Sequence, residues 1–113
     1  MMKVFHLKTC DTCRKAIKAL DAAGKPYDLI DVRADGLTPE DITAIVVAVG
    51  FEKALNRRST TWRGLSDADK DGLNNNKALQ LIAEHPTLLK RPAIMDNGTV
   101  TVGWDKAAEA AWL

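Results

Sequence analysis

Residues 3–20, Lys3-Val4-Phe5-His6-Leu7-Lys8-Thr9-Cys10-Asp11-Thr12-Cys13-Arg14-Lys15-Ala16-Ile17-Lys18-Ala19-Leu20, decide the fold. Lys3–Leu7 reads as a short strand with Val4 and Phe5 at its centre. From Asp11 the apolar period changes. Ala16, Ile17, Ala19, Leu20 and Ala23 fall on one face at helical spacing, with Arg14, Lys15 and Lys18 largely on the other. Cys10 and Cys13 therefore stand where a strand hands over to a helix. Gly24-Lys25-Pro26 is a stop signal, and Tyr27–Val32 reads as a second strand. A strand–helix–strand unit this tight implies a right-handed crossover and a parallel pair.

Outward from that unit, Asp35-Gly36 is a turn, and Thr38-Pro39-Glu40-Asp41 is a helix start. It offers a cap residue, proline at the first helical position and two acids at the positive end of the dipole. This helix should run to about Val49 and stop at Gly50. Ser66-Asp67-Ala68-Asp69 resembles a capping box with Asp in place of Glu. Asn74-Asn75-Asn76 precedes a helix from Lys77 to about His85, ended by Pro86. Ala93–Met95, Asn97-Gly98 and Thr99–Val102 spell a β-hairpin with a two-residue turn, and Asp105–Leu113 is an alanine-rich closing helix. The expected class is α/β. The order βαβ…ββα with a mixed sheet is a thioredoxin-like topology, in one domain over residues 1–113 with a helical insertion at about 38–89.

Composition narrows the function. The chain has 113 residues, 46% hydrophobic and 27% charged, which fits a globular domain and excludes a disordered one. Its longest apolar run, Ala44–Val49, is far too short to span a bilayer. No secretory signal is visible at the N-terminus, so a cytoplasmic location and no membrane partner are expected. Sixteen basic against fifteen acidic residues leave a net charge of +1, which argues against direct nucleic-acid binding. Two cysteines cannot staple a small secreted fold, and in a reducing cytosol a close pair points to chemistry.

Cys10-Asp11-Thr12-Cys13 carries the strongest signal. A thiol at a helix N-terminus meets unpaired backbone N–H groups and the positive dipole end, which favour thiolate, the nucleophilic form. Lys8 and Arg14 add positive charge. Cys13, one turn later, can attack an adduct formed on Cys10. A zinc site would need four ligands, but there is no second cysteine pair, and His6 and His85 are the only histidines. No metal is expected. Arg91-Pro92, directly before the third strand, is the second feature. In a thioredoxin-like fold this position packs against the cysteine loop, and Pro92 is a cis-proline candidate. The third is Asn56-Arg57-Arg58-Ser59-Thr60-Thr61-Trp62-Arg63, whose arginines and hydroxyls could bind an oxyanion or carboxylate or could form a solvated loop. Trp62 is expected to pack. Thr12 and Arg14 join Arg57, Arg58 and Arg91 as anion-binding candidates. His6, four residues before Cys10, is a candidate for tuning the thiolate.

Four blocks together resemble the arsenate reductase (ArsC) superfamily: Thr9–Ala16, Leu55–Arg63, His85–Ile94 and Val102-Gly103-Trp104. Their order and spacing match over essentially the whole chain, nearest to the YffB-like and Spx-like branches. The resemblance implies a thioredoxin-like core with a helical insertion. By position it makes Cys10 the nucleophile, Arg91 an oxyanion-holding arginine, and His6 the histidine of the arsenate reductase cysteine loop. Arg58 matches the arginine of the YffB and Spx branches, and Arg57 matches the arsenate reductases equally well.

Two departures matter. Gly98–Trp104 holds no arginine where arsenate reductases carry one, and Cys13 stands where they carry serine. The resemblance thus implies a thiol-dependent oxidoreductase in which Cys13 resolves the adduct on Cys10 and arsenate is a poor substrate. Arg57, Arg63 or Lys90 would have to replace the missing arginine for efficient arsenate reduction. No bound cofactor is expected, and glutathione, thioredoxin or glutaredoxin would serve as external reductant. The alternatives are a Spx-like redox-sensing regulator that binds RNA polymerase, although Spx-like proteins usually extend past this last helix, and a glutaredoxin-dependent arsenate reductase.

Overall fold

The computed structural model describes all residues, 1–113. Strand β1 (Lys3–His6), helix α1 (Asp11–Ala22) and strand β2 (Asp28–Asp31) form the opening unit. Helices α2 (Pro39–Val49), α3 (Phe51–Ala54), α4 (Thr60–Arg63), α5 (Asp67–Lys70) and α6 (Asn75–Glu84) follow, with a 3₁₀ turn at Pro86–Leu88. The hairpin β3 (Ala93–Asp96) and β4 (Thr99–Val102) and helix α7 (Lys106–Trp112) close the chain. The four strands lie in the order β2-β1-β3-β4. β1 pairs parallel with β2, and β3 runs antiparallel to both β1 and β4. This is the mixed thioredoxin-like sheet expected from the element order.

The alternation of side chains along a strand puts helices on both faces of this sheet. Val4 and Ile94 face one way, packed with Leu20 of α1 and Ala108 and Trp112 of α7. Phe5 and Ala93 face the other way, into a larger core with Ile45 and Val46 of α2 and Leu81 and Ile82 of α6. Each fully buried side chain of this kind is worth about 1.5–3 kcal/mol of transfer free energy. Trp112 also donates its indole N–H to Thr101 Oγ1 at 2.7 Å, pinning α7 to β4.

Local chemistry sets the element ends. Thr38 Oγ1 accepts from Asp41 N at 3.1 Å, with Pro39 at the first helical position, and α2 stops at Gly50, whose φ is 85°. Asn74 Oδ1 accepts from Lys77 N at 2.8 Å, so α6 begins at Asn75, two residues before the sequence-based start. The hairpin turns on Asn97 (φ 48°) and Gly98 (φ 82°), the left-handed pair that a two-residue turn requires. The capping signal at Ser66 is real, since its Oγ accepts from Asp69 N at 3.1 Å, but α5 is a single turn. Helices α3 and α4 are also single turns, too short to show an apolar period.

One long-range feature places the functional residues. Leu55 and Leu89 form an isolated antiparallel bridge. Asn56 N donates to Leu88 O at 2.7 Å, and Lys90 N donates to Ala54 O at 2.8 Å. This strap of 54–56 against 88–90 ties the middle of the insertion to its end beside the cysteine loop.

Candidate active site

The carbonyl of Leu7 accepts from Cys10 N at 3.0 Å, turning the chain sharply as β1 ends. Cys10 is the N-cap of α1, and its Sγ accepts from Cys13 N at 3.3 Å. The cap position thus points a backbone donor and the helix N-terminus at this sulfur, an arrangement that favours negative charge there. Cys10 is partly exposed and Cys13 fully buried, and both are free thiols. Burial first, then hydrogen bonding to Cys10, pushes the Cys13 thiol from 9.0 up to about 12. The two cysteines are one turn apart, one open to reagents and the other held as a buried thiol.

Cys10 opens into a cavity of about 260 Å³. The α1 start contributes Cys10 and Thr12, the strap contributes Asn56, Lys90 and Arg91, and the β4–α7 junction contributes Val102, Gly103, Trp104 and Asp105. The Arg91–Pro92 peptide is cis, and Pro92 O accepts from Gly103 N at 3.0 Å, which joins the last two groups. Gly103 has φ 80° and lies against Lys90: a Cβ there would stand 3.3 Å from Lys90 Cε.

Arg91 is held by one corner. Its Nη1 donates to Thr87 O at 2.7 Å and more loosely to Leu89 O at 3.4 Å. Its Nε is buried with no partner, and none of the molecule's three ion pairs involves it. The anchored Nη1 leaves the Nε–Nη2 edge unused, the side by which a guanidinium grips two oxygens of one anion. A buried donor without a partner is uncommon and costly.

The expected site residues divide clearly. Cys10, Thr12 and Arg91 meet at the cavity, with Cys13 behind Cys10 and Pro92 behind Arg91. Arg14, Arg57, Arg58 and His6 do not line it. Arg14 is spent on the loop itself, donating to Lys8 O at 2.9 and 3.2 Å and to Asp11 Oδ1 at 2.9 Å. Arg57 lies over the Trp62 ring, 5.8 Å from its centroid, with Lys70 Nζ at 5.5 Å. Arg58 is exposed and donates only its backbone N–H, to Asn56 Oδ1 at 3.2 Å. Two hydroxyls of that stretch are spent within the protein: Ser59 Oγ caps α4 through Trp62 N, and Thr61 Oγ1 meets Thr87 Oγ1 at 2.7 Å. Trp62 packs against the core, as expected.

His6 is buried on β1 opposite Asp31 of β2, and no hydrogen bond joins it to Cys10. Asp31 accepts from Arg33 N at 2.8 Å and Ala34 N at 2.9 Å. The Ala34 and Arg33 donors hold its carboxyl below the usual range, helped by the charges of His6 and Lys8. Lys90, named from sequence only as a substitute for a missing arginine, is in the cavity wall, whereas Arg63 is not. Asn56, Gly103, Trp104 and Asp105 carried no chemical signal alone. For Asn56, Gly103 and Trp104 the signal is the matching block each belongs to; Asp105 reads only as the start of the closing helix.

Comparison with known proteins gives the same picture. The model of the ArsC family matches residues 5–111. A solved YffB protein is 34% identical, with a TM-score of 0.93 over 100% of this chain and 99% of its own. The structure of a possible arsenate reductase from Streptococcus mutans is 28% identical, with a TM-score of 0.84 over 98% of this chain and 97% of its own. The global transcriptional regulator Spx of Staphylococcus aureus is 31% identical over 108 residues, which are 94% of this chain and 82% of that protein. No helix is long and apolar enough to cross a membrane.

Proposed function

The chain belongs to the ArsC family, and from that premise we propose that it is a thiol-dependent oxidoreductase acting on mixed disulfides that carry an anionic group. The observation that supports this reading best is the cavity beside Cys10, which has Arg91, a cation in no ion pair, in its wall. The Cys10 thiolate attacks one sulfur of the mixed disulfide. A bond forms from Cys10 to that sulfur, the original S–S bond breaks, and the leaving thiolate takes a proton from water. Arg91 holds the carboxylate of the bound half, and charge-assisted bonds of this kind contribute about 1.5–3 kcal/mol each.

Cys13 then attacks the Cys10 adduct. Two of the causes that keep Cys13 protonated are the hydrogen bond to Cys10 and the charge of Cys10. Burial is the largest cause and persists in the adduct, but the charge of Cys10 is lost when it enters a disulfide, so adduct formation lowers the barrier to deprotonating Cys13 in part. The Cys10–Cys13 bond forms, the adduct thiolate departs, and Cys13's proton goes to it. Two molecules of glutathione, or a thioredoxin or glutaredoxin dithiol, restore the pair and are oxidised to a disulfide in turn. No bound cofactor takes part.

A second reading, a redox-sensing regulator acting through RNA polymerase, is favoured by the similarity to Spx together with the dithiol. It uses the same disulfide as a switch and needs no substrate cavity. Arsenate ranks third, because the β4–α7 junction offers Val102, Gly103 and Trp104 and no arginine.

Alkylation at mildly acidic pH with peptide mass spectrometry tests the roles. Cys10 should react first, because Cys13 is buried and pushed up to about 12. Mild oxidation should join Cys10 to Cys13 within one chain, and Cys13→Ser should accumulate the Cys10 adduct with a small disulfide. First labelling of Cys13, or only inter-chain dimers on oxidation, would refute the mechanism. Turnover of a mixed disulfide in the presence of glutathione separates the enzyme from the regulator.

A further inference from the structure

The two edges of the sheet, β2 and β4, are finished differently. On β2 the backbone of Asp31 is already taken. Its N–H donates to Asp35 Oδ2 at 2.9 Å, and its carbonyl accepts from Asp35 N at 2.9 Å. Asp28 and Asp31 also put charge on that edge, which keeps other strands off. β4 has neither device. It reads Thr99-Val100-Thr101-Val102, strand-forming residues without a charge. Its two-residue turn fixes the ladder: Asp96 and Thr99 close it, Ile94 and Thr101 form the next hydrogen-bonded pair, and Val100 and Val102 turn their N–H and C=O outward. The following rung, Gly103 N on Pro92 O at 3.0 Å, agrees with this register. No strand or loop backbone pairs with the outward groups of Val100 and Val102.

This free edge lies in a cavity of about 260 Å³, with Val49 and Lys53 of α2 and α3 on one side of β4 and Ala107 and Ala108 of α7 on the other. Lys90 is also in its wall. Lys53 and Lys90 are exposed, and neither takes part in any of the three ion pairs. Asp105 is the single acid of the lining, and its carboxylate caps α7 through Ala108 N at 2.9 Å. We propose that the β4 edge docks an extended acidic segment of a partner protein, which joins the sheet as a fifth strand with its carboxylates on Lys53 and Lys90. Main-chain pairing with Val100 and Val102 gives the affinity, and the two ammonium groups choose the segment. A second copy of the chain does not fit that charge. An antiparallel β4–β4 contact would set the Lys53 side of one copy against the same side of the other, cation against cation. The site uses neither cysteine, so docking there is separate from thiol exchange.

A short capped peptide of alternating glutamate and valine, free of cysteine, tests the edge. Amide exchange is followed residue by residue by NMR. Saturating peptide should slow exchange at Val100 and Val102 by about fivefold or more. Thr101, whose N–H already faces β3, should exchange as before. Lys53→Glu should weaken binding roughly threefold, as reversal of one exposed charge contact allows, and should improve binding of the matching lysine–valine peptide. Lys18→Glu, on exposed α1 surface, should change neither. The glutamate–valine peptide N-methylated throughout keeps its carboxylates but has no backbone donors, and it should protect neither valine. No slowing at Val100 and Val102, slowing on β2 instead, or equal binding of the N-methylated peptide would overturn the proposal. So would slowing that follows protein concentration without peptide, which would give the edge to a second copy.

Discussion

The β1–α1 junction and the strap of 54–56 against 88–90 end at the same cavity but are built by opposite means. The junction is local. Leu7 O, Cys10 and Cys13 N set one another within a few residues, and Arg14 braces the loop from inside it. The strap joins residues far apart in the chain through two backbone hydrogen bonds and two buried leucines. The junction supplies the nucleophile, and the strap supplies the charge that selects what the nucleophile meets. Reactivity and recognition therefore rest on separate parts of the fold and should respond separately to mutation.

The largest effect should come from the strap's core. Leu89 is fully buried, and Leu89→Ala should cost about 2–5 kcal/mol of stability, measured by urea unfolding. In the protein that remains folded, the rate of Cys10 alkylation should stay within about twofold, because each factor of ten needs a full 1.4 kcal/mol and the junction's own bonds are untouched. Reduction of an anionic disulfide should fall. Parallel loss of both would mean that the two regions are one unit.

Arg91 is the narrower test. Arg91→Ala removes the unused guanidinium edge and should lower kcat/KM for glutathione disulfide by about tenfold to a hundredfold, since ~1.4 kcal/mol is a factor of ten. For a neutral disulfide the loss should be much smaller. An equal loss on both substrates would assign Arg91 to Cys10 rather than to the ligand.

The same division explains what the sequence reveals. The strand, the helix and the cysteine at its cap are encoded by neighbours, so periodicity and spacing reveal them. The hairpin is equally plain, because Asn97-Gly98 needs only its own backbone. The insertion is less so: α3, α4 and α5 are single turns, and only their caps leave a trace. Arg57 and Arg58 look like an anion site by composition. Only the fold shows that Asn56, Lys90 and Arg91 line the cavity while the two arginines do not. Charge is visible in a sequence, but its direction depends on contacts far along the chain.

A smaller effect belongs to the junction. Arg14 makes three hydrogen bonds, but its side chain is 63% exposed. Arg14→Ala should therefore cost only about 0.5–1 kcal/mol of stability, with the Coulomb part screened by solvent. The loop Lys8–Asp11 should gain mobility, seen as faster amide exchange at Cys10. Substrate preference between charged and neutral disulfides should not move, because Arg14 does not line the cavity.

The smallest effect is expected where the sequence looks most suggestive. Arg57 and Arg58 are exposed and outside the cavity. Arg57 is engaged with the Trp62 ring, a contact worth about 0.5–1 kcal/mol at an exposed site. Lys70 sits over the same ring and retains part of that attraction when Arg57 is removed. The double variant Arg57→Ala/Arg58→Ala should thus lose less than about 1 kcal/mol of stability. Its kcat/KM for glutathione disulfide should stay within about twofold of the parent, against the tenfold or more expected of Arg91→Ala. The two values measured side by side at low salt, where charge effects are greatest, decide the matter. A tenfold fall in the double variant would mean that the 56–59 turn swings over Cys10 when substrate binds. The charge that selects the ligand would then come from both sides of the strap, which would act as a hinge.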